Sequence, residues 1–378
     1  MRKQIILSKQ VMMPYNHIVR DVFLVLLTMT AIGIALSGIL HKATATFNPF
    51  LPAITAPVSA STQPLGELGK IPAKTGNSSK EIKVTAPASV TVQPLDELGK
   101  ILAKTANANR TLIVTALNWA WAEPSTMIDL FLKSFLIGEG TEELLQNLLI
   151  VALDAKAYNR CLEIHPHCYS LKTRGVDFSG EKTYMSDDYL KMMWTRLAFL
   201  GDVLRRGYNI IFSDTDIVWL RNPIGRLQAD ADIQITCDNY NGDPFSVKNE
   251  ANTGYMYIHS NELTISFYRH WYLSRRMFPE MKEQDVFNIL KFSAGFRRKG
   301  MKFVFLDTKY FGGFCERSND LKDAYTMHAN CCRGLKAKLV DLRYTLEDWS
   351  HYKNLPLNET GTSIRWRLPN ACRNSWFL

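Results

Sequence analysis

The chain is 378 residues long and carries 45 Lys and Arg against 36 Asp and Glu, a formal net charge of +9. A basic balance favours an anionic partner such as a diphosphate or an acidic polysaccharide. Nucleic acid is argued against by an apolar segment near the N-terminus and by the lack of a recognisable nucleic-acid module. That segment runs from Val22 to Leu40, nineteen residues without a charge, after Arg2, Lys3, Lys9 and Arg20. Its length is close to the roughly 20 residues that span a bilayer, and the basic flank predicts a cytosolic tail at 1–21, a signal anchor at 22–40 and a luminal remainder. A cleaved signal peptide is the alternative, but its apolar core is usually about 7–15 residues and ends at a small-residue cleavage site.

Residues 41–109 read as a flexible stem, rich in Pro, Ala, Thr, Ser and Gly and almost free of aromatics, so little apolar burial offsets the entropy of ordering them. The stem contains a duplication, in which 63–75 reappears at 93–105. Two copies are too few for a solenoid. From Arg110 to about 350 the texture is that of one globular domain, with 351–378 as a C-terminal tail. Thr111–Leu117 is β-rich, a helical pattern follows Pro124 through Ile137, Leu148–Leu153 is an apolar strand and Ala155–Ile164 a helix. Such alternation predicts an α/β domain, a mostly parallel, Rossmann-like sheet sandwiched by helices. Leu190, Met193, Trp194, Leu197, Leu200 and Leu204 recur at helical spacing, and Ser186, Asp187 and Asp188 stand where a helix start wants a cap and acidic residues.

The most informative run follows, from Asn209 to Pro223. An apolar strand delivers Asp214 and Asp216 to its carboxyl end. In extended chain, positions i and i+2 share a side, so both carboxylates can face one cation. Two such hard oxygen ligands suit Mg²⁺ or Mn²⁺, which neutralises charge on a departing diphosphate. The same pattern also fits a haloacid-dehalogenase-like phosphatase, with the first Asp as nucleophile, although in that class the strand usually opens the domain.

Further blocks carry a resemblance. Ala120–Pro124, His165–Tyr169, Gly175–Gly180, Asp188–Trp194, the Asp-x-Asp strand, Tyr310–Cys315 and Met327–Cys332 together resemble the plant nucleotide-diphospho-sugar transferases of glycosyltransferase family 77, a branch of type II membrane proteins. The likeness covers about 110–350. It implies a GT-A fold, a UDP-sugar donor of the xylose, arabinose or galactose class, retention of anomeric configuration, a polysaccharide or glycoprotein acceptor of the cell wall, and anchorage in the Golgi membrane. A homo- or hetero-oligomer, or a donor-binding scaffold subunit with little turnover, is compatible with it.

Carried over residue by residue, the resemblance makes Asp214 and Asp216 the metal and diphosphate motif and His328 the third metal ligand. It directs Arg196 towards the donor, sets Asn118 at the uracil–ribose pocket, and makes Asn252 and Gly254 the loop that approaches the donor sugar. Glu283, Gln284 and Asp285 stand where relatives usually carry Asp-Gln-Asp, a triplet able to bind sugar hydroxyls at the reaction centre. Glu283 departs from that pattern by one methylene. The seven cysteines, Cys161, Cys168, Cys237, Cys315, Cys331, Cys332 and Cys372, are expected to pair in an oxidising lumen, with at least one left over. Asn77, Asn109 and Asn358 begin glycosylation sequons.

Overall fold

A computed structural model describes residues 95–377, apart from 174, 294–295, 297–299 and 357–363. The expected cytosolic tail, the expected anchor at 22–40, most of the expected stem and the sequons at Asn77 and Asn358 lie outside the described residues. No described helix is long and apolar enough to cross a membrane.

The elements follow in chain order: α1 (Glu97–Thr105), β1 (Thr111–Leu117), the single turn α2 (Trp119–Ala122), α3 (Met127–Ile137), β2 (Leu148–Ala152), α4 (Ala155–Ile164), β3 (Cys168–Ser170) and α5 (Asp187–Arg205). Then come β4 (Asn209–Ser213), β5 (Ile217–Trp219), β6 (Ile233–Asn239), β7 (Glu250–Ile258), α6 (Glu262–Ser274), α7 (Glu283–Leu290), β8 (Phe303–Phe305), β9 (Phe311–Gly313), β10 (Thr326–His328), α8 (Leu335–Lys353) and α9 (Asn370–Asn374). Seven strands form the main sheet in the order β3-β2-β1-β4-β7-β6-β8. Neighbours are parallel except at β7, which runs against both β4 and β6. The expected α/β, mostly parallel sheet is therefore present.

Alternate residues of the strands feed two apolar layers. Leu112, Val114, Ile210 and Phe212 point to the side covered by α1, α5, α6 and α7, with Trp271, Phe267 and Phe287 in that layer. Ile113, Leu148, Ile150 and Ile211 point to the other side, under α3 and α4, with Phe131, Phe135 and Trp219. This period-2 division of mainly apolar strands is what a sheet covered on both faces requires. The acids at the start of α5 are structural, as their position predicts. Ser186 Oγ accepts from the Tyr189 N–H at 3.3 Å, with Asp187 and Asp188 in the first turn.

Two boundaries differ from expectation. The second copy of the duplicated segment is not all stem, because within it α1 is capped by Asp96 and buries Leu98 and Leu102 in the main core. The two leucines, four apart, form a stripe that the copy at 63–75 matches only at Leu68, with Pro72 standing where the second copy has Leu102. Leu102→Ala is expected to cost about 2–5 kcal/mol, read as a lowered urea midpoint; an unchanged midpoint would return this helix to the stem. The tail beyond 350 is likewise packed. Trp366 and Cys372 are buried, Cys372 is bonded to Cys332, and the buried Asp341 carboxylate accepts from the Cys372 N–H at 2.7 Å. Cys161–Cys168 and Cys315–Cys331 are the other disulfides, leaving Cys237 as a buried thiol. Asn109 is exposed just ahead of β1.

Candidate active site

Because β4 and β6 both run against β7, they run the same way as β1. Asn118, Asp214 and Asp238 thus emerge at the same carboxyl edge, where open α/β sheets bind ligands. The N-terminal half of β7 brings Asn252, Thr253 and Gly254 to that edge, and the Asp214 N–H donates to Gly254 O at 2.7 Å.

Asp214 and Asp216 do not lie on one extended strand. β4 ends at Ser213, residues 214–216 form a turn closed by the Ile217 N–H on Asp214 O at 3.2 Å, and β5 departs into a second, three-stranded sheet ordered β5-β10-β9. The turn, rather than strand period, makes the carboxylates converge. It also explains how His328 arrives from 112 positions away. β10 pairs antiparallel with β5 so that His328 stands opposite Ile217, and the Ala329 N–H donates to Asp216 O at 2.9 Å.

One ligand atom each from Asp214, Asp216 and His328 lies within 4.8 Å of the others, with His328 Nε2 3.3 Å from Asp216 Oδ1. Two carboxylates and an imidazole suit Mn²⁺. Gly254 forms the floor of this cluster. A Cβ there would stand 2.5 Å from His328 Cε1 and 2.9 Å from Asp214 Oδ2, so the backbone approaches as closely as it does only because the side chain is missing.

The two carboxylates differ in their partners. Burial alone would raise Asp216, but Lys338 and His328 outweigh it and hold its carboxyl well below the usual range. The Lys338 Nζ donates to Asp216 Oδ2 at 2.5 Å and to Ala329 O at 2.8 Å. For Asp214, burial wins over Arg196 and pushes the carboxyl up. Close carboxylates in one buried site separate in this manner.

Arg196 is no surface ion pair. Its guanidinium donates to Asp214 Oδ1 and to Glu283 Oε1 at 2.6 Å, over the Phe212 ring. Glu283 itself is 2% exposed and also accepts from Thr253 Oγ1 at 3.1 Å. Its expected place among the sugar-binding groups is therefore corrected. It sits behind Arg196, because the two indoles Trp194 and Trp271 bind Met281 O at 3.0 Å and Glu283 O at 2.8 Å and draw the start of α7 into the core. Gln284 stays at the edge of the site, accepting from Thr253 N at 3.1 Å and donating to Asp238 Oδ2 at 3.2 Å. Asp285 stands 3.9 Å from Lys282, its carboxyl raised by burial. Asn118 is buried, and both N–H groups of its amide go to Phe178 O at 2.8 Å and Gly180 O at 2.9 Å, so its side chain anchors that loop.

Asp238 and Lys338 join the site without having been singled out in the sequence. Asp238 Oδ1 accepts from Asn252 Nδ2 at 2.8 Å and Asn330 Nδ2 at 2.7 Å. With Gln284 on the other oxygen, three amides engage both carboxylate oxygens, which makes it a positioning residue. A carboxylate directly after the alternating strand pattern of Ile233, Ile235 and Cys237 is the signal that would have found it. Lys338 gives no such signal on a helix charged all round.

Residues 143–342 match the family model described as nucleotide-diphospho-sugar transferase. The uncharacterized Arabidopsis thaliana protein At4g15970 is 47% identical over 263 residues, 69% of each chain. The uncharacterized protein At1g28695 of the same plant is 45% identical over 67% of this chain and 74% of its own. Its arabinosyltransferase RRA1 is 30% identical over 97 residues, 25% of this chain and 23% of that one.

Proposed function

Since the chain belongs to the nucleotide-diphospho-sugar transferase family, and so is a glycosyltransferase and not the phosphatase that its Asp-x-Asp pattern also fits, we propose a metal-dependent, retaining enzyme of GT-A type. It moves a sugar of the xylose, arabinose or galactose class from a UDP-sugar to a cell-wall glycan or glycoprotein, in the Golgi lumen behind an N-terminal anchor. The observation that carries the metal-dependent reading is the convergence of Asp214, Asp216 and His328.

Those three residues would hold Mn²⁺, or Mg²⁺. The cation, when bound, supplies positive charge to the diphosphate as it leaves. The chain's own groups do the rest. Arg196, aimed by Glu283, adds a fixed charge beside Asp214. Asp238 fixes the amides of Asn252 and Gln284 so that their remaining polar groups orient sugar hydroxyls, and Asp285 lies next to Gln284 on the acceptor side. Gly254 lets the donor come close to the backbone. An acceptor hydroxyl replaces the diphosphate at the anomeric carbon on the same face, which retains configuration.

UDP release from UDP-xylose, UDP-arabinofuranose and UDP-galactose, with Mn²⁺ and with chelator, tests this. Cation-dependent release from one of the three is expected. No UDP binding and no release from any would overturn the reading, and tight binding without release with every acceptor would favour the scaffold alternative.

A further inference from the structure

We propose that Lys338 is an internal counter-ion that disfavours a lone divalent cation at Asp216 and favours the cation together with a nucleoside diphosphate, so that the two bind cooperatively. The inference rests on the donor-site reading above and goes beyond it.

Lys338 lies in the first turn of α8, and its side chain is only 15% exposed. Its ammonium reaches Asp216 Oδ2 at 2.5 Å, an oxygen of the carboxylate that would ligate the cation. An ammonium has three N–H donors. Two are committed, to Asp216 and to Ala329 O at 2.8 Å. Ala329 is held in turn by its own N–H on Asp216 O at 2.9 Å, so lysine, carboxylate and the residue after His328 form one closed unit. Arg196 does the same for Asp214 from the other side. Each aspartate therefore already has a cationic partner belonging to the chain.

Two consequences follow from charge alone. A dication sharing Asp216 with Lys338 places like charges a few ångströms apart in a partly buried site, where screening by water is weak. A diphosphate brings negative charge that both cations can share, and the third ammonium N–H is a donor suited to a phosphate oxygen. Lys338 thus works against the dication before the diphosphate arrives and with it afterwards, which by definition is a positive coupling between the two ligands. In this arrangement the cation is retained when donor is present and released readily with the product.

The test is Mn²⁺ affinity, read from the paramagnetic signal of free Mn²⁺, with and without saturating UDP, in the full chain and in Lys338→Gln. The variant is expected to bind Mn²⁺ alone about tenfold tighter and Mn²⁺ with UDP about tenfold more weakly, a coupling change within the usual range for linked sites. Lys338→Arg, which keeps a charge beside Asp216, should behave as the unaltered chain does. Lys336→Gln removes an exposed charge from the same helix turn and should leave both affinities unchanged, which separates a local pairing from net charge. If Lys338→Gln binds Mn²⁺ alone no tighter, the counter-ion role is overturned, while UDP-assisted Mn²⁺ binding by the unaltered chain would leave the donor site standing. If the unaltered chain binds no Mn²⁺ even with UDP, the metal site itself falls.

Discussion

Asp216→Asn is expected to abolish cation-dependent UDP binding and to lower turnover about a thousandfold, the scale on which a preorganised electrostatic group at a developing charge acts. The substitution is nearly isosteric, and Lys338 keeps Ala329 O as a partner, so near-native circular dichroism should accompany the loss. His328→Ala should weaken Mn²⁺ use by at least tenfold to a hundredfold, since even supporting groups of a metal site cost that much. His351→Ala, at an exposed position of α8, should change nothing. Calorimetry that returned full UDP–Mn²⁺ affinity for Asp216→Asn would remove the aspartate from the site.

The second large effect lies one layer back. Glu283→Ala should destabilise the domain by about 3 kcal/mol, because removing one member of a buried ion pair strands the other. Arg196 would keep Asp214 but lose the carboxylate that aims it, so turnover should fall with little change in Mn²⁺ affinity. Glu283→Asp, shorter by one methylene, should recover part of the stability. The double variant with Arg196→Ala should cost less than the sum of the two single changes, as for residues in one network. Additive losses in urea unfolding would show that the pair does not act as a unit.

Much of the fold could be read from local pattern. β1 and α4 have the bounds that apolar runs and helical spacing predict, and the burial of whole strands such as β2 follows from continuous apolar sequence. What could not be read locally is pairing. The order in which β7 inserts antiparallel between β4 and β6 leaves no mark on any single strand, yet it carries Asn252 and Asp238 to the same edge. Asp214 and Asp216 were visible as a pair but for a different geometric reason, a turn between two sheets in place of one strand. Duplicated sequence at 63–75 and 93–105 concealed that the later copy holds a docked helix, because composition reports average solvation and not the two leucines that find a core. Glu283 read as part of a sugar-binding triplet. Only the indoles that pull on its backbone make it interior.

The pairing of β10 with β5 also sets an order of events during synthesis. All eight strands from β1 to β8 leave the ribosome before residue 328, and the carboxylates wait at the sheet edge for an imidazole and an ammonium that are translated more than a hundred residues later. A chain interrupted before β10 holds every strand of the main sheet and still lacks a complete Asp214–Asp216–His328 cluster. Completion of the cluster therefore requires the C-terminal segment that carries His328 and Lys338.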